Sequence, residues 1–196
     1  MTKEILIGHN LYLSNFVSLF QKNKLPTKIL LSGKKGIGKS LLVKHFLIKI
    51  LKEENLRLLL EEAAHTNVLF IKKRDNKNNI EIDQVRDIIK FTNQSSFNNK
   101  SRFIIIDDVE YLNINSSNAL LKSLEEPNEN VYFFLIFNNE KSILETIKSR
   151  CVEYKIKLKL DDTKLIVDNY FDEKIYDNLN LNLKNYYSTP KFLISL

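Results

Sequence analysis

Three of the chain's four glycines, Gly33, Gly36 and Gly38, fall within six residues, inside the run Ser32-Gly33-Lys34-Lys35-Gly36-Ile37-Gly38-Lys39-Ser40. That run fits G-x-x-x-x-G-K-[ST], a loop whose backbone N–H groups turn inward around a polyphosphate. Such a loop works between a strand and a helix N-terminus, so it constrains the chain on both sides. Lys28-Ile29-Leu30-Leu31 before it reads as a short buried strand. Leu41, Leu42, Phe46, Leu47, Ile50 and Leu51 after it recur at helical spacing. The expected cradle is Gly33, Lys34, Lys35, Gly36, Ile37 and Gly38, with Lys39 reaching the outer phosphates and the Ser40 hydroxyl on Mg²⁺.

Strands and helices alternate along the rest of the chain. Residues 11–20 have helical periodicity, and Pro26 breaks it. The leucine-rich, acidic stretch 52–64 reads as further helix, and 68–71 as a second strand. After the polar turn 75–79, Asp83 is the expected cap of a helix whose inner face is Val85, Ile88 and Ile89. Residues 103–106 form a third strand that ends in Asp107-Asp108. Asn113 or Asn115 caps a helix carrying Leu120, Leu121 and Leu124 and stopped by Pro127. Residues 131–137 are apolar throughout, which predicts a strand buried on both faces. Residues 152–160 alternate, with Val152, Tyr154, Ile156, Leu158 and Leu160 on one side, predicting a half-exposed strand at an edge. This order predicts an α/β fold: a five-stranded parallel sheet flanked by helices over residues 1–160, then a small helical lid over 161–196.

Ligands of such sheets sit beyond the carboxyl ends of the strands, where the loop and Asp107-Asp108 both fall. Asp107, ending a buried strand, suits a second Mg²⁺ ligand beside Ser40. Hydrolysis also needs a carboxylate to polarise the attacking water. Asp108 follows Asp107, but it is one methylene shorter than the glutamate common at that position. A base set back by about an ångström loses on the order of a hundredfold in rate. Glu110 is the other candidate, further along a turn. Binding with slow hydrolysis is therefore expected. Arg150, in Thr146-Ile147-Lys148-Ser149-Arg150-Cys151, stands just before the edge strand, where a guanidinium suits a neighbour's phosphate.

At 196 residues and 43% hydrophobic, the chain has material for one full core. It has no apolar run long enough for a bilayer and no signal-peptide layout at Met1-Thr2-Lys3-Glu4, so a cytoplasmic protein without membrane contact is expected. The single cysteine, Cys151, excludes an internal disulfide and a cysteine-rich zinc module. The net charge of +6 includes the clusters Lys34-Lys35 and Lys72-Lys73-Arg74, which would favour phosphate backbones or form a solvated face.

Several segments, taken in order, resemble the clamp-loader branch of the AAA+ ATPases, and within it the delta-prime type of bacterial DNA polymerase III. They are Leu6-Ile7-Gly8-His9-Asn10, the phosphate loop, His65-Thr66-Asn67-Val68, Ile82-Asp83-Gln84-Val85-Arg86, Ile106-Asp107-Asp108, the helix Asn118-Ala119-Leu120-Leu121-Lys122-Ser123-Leu124-Glu125-Glu126-Pro127, and Ser149-Arg150-Cys151. The last two are the most specific, and the likeness covers residues 5–155. It implies an AAA+ domain with a helical lid, in a hetero-oligomeric ring with related subunits. Such a ring uses ATP to open a sliding clamp and place it on primed DNA. Arg150 matches the family's arginine finger, which acts on ATP held by the adjacent subunit. Asn138 matches the sensor of the terminal phosphate, with Asn139 as the fallback.

Three departures qualify the likeness. The family's four-cysteine zinc module has no counterpart in 52–64. Asp108 stands where the motor subunits carry glutamate, which favours the delta-prime type. Residues 185–190 resemble the end of the lid, so no collar domain is expected within the chain. The expected protein binds ATP and Mg²⁺, hydrolyses slowly and works through Arg150. The rival is a gamma/tau-like motor with Asp108 or Glu110 as base. A P-loop nucleotide kinase fits poorly, because the tail from Asp161 contains no arginine for a lid. DNA contact is expected only through the assembled ring, by backbone phosphates.

Overall fold

The computed structural model describes residues 5–52, 65–93, 101–125, 130–185 and 188–195. Residues 53–64 of the expected helix over 52–64, and the stop at Pro127, therefore lie outside the described residues. Among those described, no helix is long and apolar enough to cross a membrane.

Five parallel strands form one sheet in the order β2-β3-β4-β1-β5. They are β1 (Lys28–Ser32), β2 (Val68–Ile71), β3 (Arg102–Ile106), β4 (Val131–Phe137) and β5 (Val152–Lys155). Period-two alternation sorts their side chains onto two faces. Ile29, Leu31, Phe103, Ile105, Tyr132, Phe134 and Ile136 face α1 (Asn10–Gln21) and α2 (Lys39–Leu51), and pack on Phe16, Leu42, Phe46 and Leu47. Leu30, Ile104, Ile106, Phe133, Leu135 and Phe137 face α3 (Ile82–Asn93), α4 (Ile114–Glu125) and α5 (Glu145–Lys148). Every residue of β4 is buried, as its unbroken apolar run predicts.

The helix starts follow local chemistry. The Asn113 Oδ1 accepts the Ser116 N–H at 2.8 Å, so Asn113 caps α4, and Asn115 lies inside the helix. Asp83 does not cap α3. It sits in the first turn, and the Gln84 Oε1 instead accepts the Glu81 N–H at 3.1 Å, the reciprocal half of a capping box.

The fifth strand is shorter than its alternation predicts. It ends at Lys155, and Leu160 already opens α6 (Leu160–Phe171). The reason is its neighbour: β5 pairs with β1 alone, and β1 ends at Ser32, opposite Lys155. The Ile156 N–H donates to the Ser32 carbonyl at 2.8 Å, and beyond it no strand remains to pair with. The chain then turns into α6, α7 (Leu181–Asn185) and α8 (Pro190–Ile194), where Val167, Tyr176 and Leu193 form a small separate core.

The Phe46 ring is fully buried against Phe16, Phe20, Phe103 and Phe134, with ring centroids 5.4–6.3 Å apart. Phe46→Ala is expected to cost about 3–5 kcal/mol in urea unfolding. Phe171→Ala, at 40% exposure, should cost far less.

Candidate nucleotide-binding site

The phosphate loop leaves β1 at the carboxyl edge of the sheet. A Cβ on Gly33 would stand 2.5 Å from the Ile156 carbonyl oxygen, so only glycine passes there. Gly36 has φ +82°, and a Cβ on it would meet the Lys191 Cβ at 2.7 Å and the Thr189 Oγ1 at 2.8 Å. The start of α8 thus rests directly on the loop. Ser40 is half-buried in the first turn of α2.

Lys39 is 3% exposed, and its Nζ donates to the carbonyls of Gly33 (2.8 Å) and Lys34 (2.6 Å). Burial lowers its pKa to about 8, against the opposing pull of Asp107, Glu110 and Asp108. A buried ammonium that makes no ion pair among the described residues suits a site built for an anion.

His9 was not expected here. Its Nε2 donates to the Ile37 carbonyl at 2.6 Å, and its ring abuts Gly38, with both Nε2 and Cδ2 3.5 Å from where a Cβ would stand. The ring is 1% exposed, and its Nδ1 has no hydrogen-bond partner among the described residues. In the sequence His9 stands out only within Leu6-Ile7-Gly8-His9-Asn10. No local spacing reveals that it supports a loop 28 residues on.

The acidic side of the site comes from β3 and β4. The Asp107 N–H donates to the Ile71 carbonyl, and its Oδ1 accepts the Asp108 N–H at 3.1 Å. Burial, with the Asp108 charge beside it, raises the Asp107 pKa. Asp108 adopts the left-handed conformation at φ 60° and ψ 47°, and its Oδ1 accepts the Asn138 Nδ2–H at 2.6 Å. Glu110 is buried, which raises its pKa, and its carboxylate accepts the Asn138 backbone N–H at 3.0 and 3.3 Å. It holds the end of β4 rather than facing open space. Asn138 is itself buried, whereas Asn139 is exposed. Lys35 reaches across from the loop to Glu140 at 2.8 Å, and the Tyr111 hydroxyl meets the same carboxylate at 3.2 Å.

The fold thus gathers the loop, Lys39, Asp107, Asp108, Glu110 and Asn138 at one edge of the sheet. Arg150 is not among them. It precedes β5, whose Val152 is in register with Ile29, so it lies at the amino edge. The five residues of β1 separate the two edges by about 16 Å. There Arg150 donates to the Glu125 carboxylate at 2.5 Å and to the Thr146 carbonyl at 2.9 Å. Cys151 is largely buried beside it, and burial pushes its thiol up to about 11.

A cleft of about 1020 Å³ opens between the loop, the end of β5 and the carboxyl-terminal helices, with Gly33, Ile37, Ile156, Thr163, Thr189 and Pro190 in its walls. Five lysines line it (Lys34, Lys148, Lys155, Lys157 and Lys184), against one carboxylate, Glu153. These residues fit a nucleoside polyphosphate: a positive-φ glycine cradle, a buried lysine bonded only to backbone carbonyls among the described residues and a basic cleft of suitable size. Ser40 and Asp107 offer the hard oxygen donors that Mg²⁺ takes.

The family profile described as DNA polymerase III, delta subunit, matches residues 8–159, 152 of the 196 residues. The chain belongs to that family. It is 33% identical over 134 residues to the DNA polymerase III subunit delta' of Pseudomonas aeruginosa, covering 63% of this chain and 41% of that protein. It is 31% identical over 137 residues to the DNA polymerase III subunit gamma of Buchnera aphidicola subsp. Acyrthosiphon pisum, covering 66% and 38%. The chain therefore spans about two fifths of the length of these curated relatives. A solved DNA polymerase III gamma subunit-related protein from Thermotoga maritima superposes with a TM-score of 0.56 at 24% identity, covering 80% of this chain and 49% of that one. The Thermotoga maritima RuvB branch migration motor gives 0.58 at 16% identity, covering 96% and 60%. These likenesses carry the AAA+ fold. The resemblance to the clamp-loader branch, and the five-stranded parallel sheet it implied, are borne out.

The depressed Lys39 pKa has a signed consequence. Between about pH 8 and 10.5 the unfolded chain keeps a proton that the folded chain has released, so stability rises with pH across that window. Below pH 8 the cost of burying the charge is present in full. Relative to Lys39→Met, the wild type is therefore expected to gain roughly 1–3 kcal/mol in urea unfolding between about pH 8 and 10.5, on top of a pH-independent difference from the two lost carbonyl bonds. His9→Ala should cost about 1–3 kcal/mol by the same measurement, because the buried Ile37 carbonyl loses its donor.

Proposed function

We propose that this chain is a delta-prime-like clamp-loader subunit of the DNA replication machinery. It holds ATP with Mg²⁺ in the loop 33–40, hydrolyses it slowly, and supplies Arg150 to the nucleotide of a neighbouring subunit. The observation that carries this reading is the opposite placement of the two parts. The cradle lies at the carboxyl edge of the sheet and Arg150 at the amino edge, so Arg150 cannot serve the chain's own loop but is available to another's. The family membership and the delta' and gamma relatives support the clamp-loader role.

Residues 33–39 bind and orient the phosphates, Lys39 neutralises the outer ones, and Ser40 and Asp107 hold Mg²⁺. When bound, the metal neutralises charge building on the phosphates. Asn138 senses the terminal phosphate. Slow hydrolysis follows from Asp108: it is the shorter acid, sits in a left-handed turn, and has an oxygen engaged by Asn138. In the proposed division, residues 1–160 form the AAA+ domain and 161–196 the lid, which has its own small core. The partners are related subunits in a hetero-oligomeric ring, the sliding clamp, and primed DNA reached through that ring, in the cytoplasm.

The completeness of the loop also favours the motor reading, in which Asp108 or Glu110 acts as the base. Two measurements separate them. A fluorescent ATP analogue with Mg²⁺ should bind saturably to the wild-type chain and not to Lys39→Ala. Intrinsic turnover should stay near background in both proteins. Turnover that Lys39→Ala abolishes would establish the motor instead, and absence of saturable binding in the wild type would sink the nucleotide site.

A further inference from the structure

Helix α4 carries an acidic residue, Glu125, in its last described turn. An anion toward the negative dipole end of its own helix is an arrangement that local helix chemistry disfavours. A local rule broken in this way points to a tertiary role. Here the Glu125 Oε1 lies 2.5 Å from the Arg150 Nη2, while the Arg150 Nη1 donates to the Thr146 carbonyl at 2.9 Å. The Ser149 hydroxyl converges on that same carbonyl at 3.2 Å. The two grips come from different helices, whose buried residues Leu120, Leu124 and Ile147 share one core. The guanidinium is therefore referenced to the body of the domain, not merely to its own turn.

We infer that Glu125 is the positioning residue of Arg150, presetting the guanidinium in the orientation that meets a neighbouring subunit's nucleotide. The inference rests on the reading of Arg150 as a trans-acting group. The two bonds use two of the five N–H donors of the planar fork. A fork already oriented loses less freedom when it engages a phosphate. The side chains are 35% (Arg150) and 53% (Glu125) exposed, so the ion pair does little for folding. Its effect lies in direction.

The test is steady-state ATPase of the reconstituted clamp loader containing the full chain, with kcat and KM measured separately. Arg150→Ala should lower kcat by about a thousandfold. Glu125→Ala should lower kcat roughly tenfold, with KM for ATP, ring assembly and Tm unchanged, because only preorganisation is lost. Glu125→Gln, which keeps an acceptor oxygen, should recover most of the rate. The double variant should be no slower than Arg150→Ala alone, as expected when one residue acts through the other. A wild-type or raised kcat in Glu125→Ala, or a further loss in the double variant, overturns the inference while leaving Arg150's own role intact. An Arg150→Ala loader of normal rate removes the underlying reading, and this inference with it.

Discussion

Strand β1 is hydrogen-bonded on both sides, and both ladders stop at the same residue: Ser32 faces Phe137 of β4 and Lys155 of β5. One step later the chain must be glycine, because the Ile156 carbonyl lies where a Cβ would go. This common terminus determines much of what surrounds it. It sets where the phosphate loop leaves the sheet and truncates β5. It also sends the chain after Lys155 over the loop and into the carboxyl-terminal helices. The loop and those helices share one geometric origin at the end of a five-residue strand.

Around that terminus the charges are arranged in tension. Lys39 is buried among its own loop carbonyls, Asp107 is raised by burial beside Asp108, and Glu110 is raised by burial as it holds the Asn138 backbone. Each group sits in a setting that disfavours its charge. A polyphosphate with a divalent cation would bring each sign its missing counterpart. The acidic residues differ in what they hold: Asp107 accepts the Asp108 N–H, Asp108 the Asn138 side chain, and Glu110 the Asn138 backbone.

Most of the sheet was legible in the sequence because apolar runs such as 131–137 report burial directly, and β1 to β4 need no distant information. The end of β5 was not, since a strand's length depends on its partner, and alternation through Leu158 and Leu160 persists after the partner has stopped. The start of α3 differs for a local reason: Asp83 has a capping side chain, but Gln84 reaches back to Glu81. At the site, the loop and Asp107 follow from short motifs. The support of His9 for Ile37, the Asn138 bond to Asp108 and the Glu125 grip on Arg150 span 25 to 30 residues and exist only once the chain is folded. Arg150 stands out by its place just before the edge strand as well as by resemblance; its distance from the loop follows from strand register.

Gly36 is the point where the carboxyl-terminal helices meet the loop, touching Thr189 and Lys191 with no space for even one more carbon. Contact that tight admits no slack. The loop cannot widen without displacing α8, and α8 cannot lift without uncovering the loop. The loop and the start of α8 are thus fitted to each other directly, and the position of one limits the space left to the other.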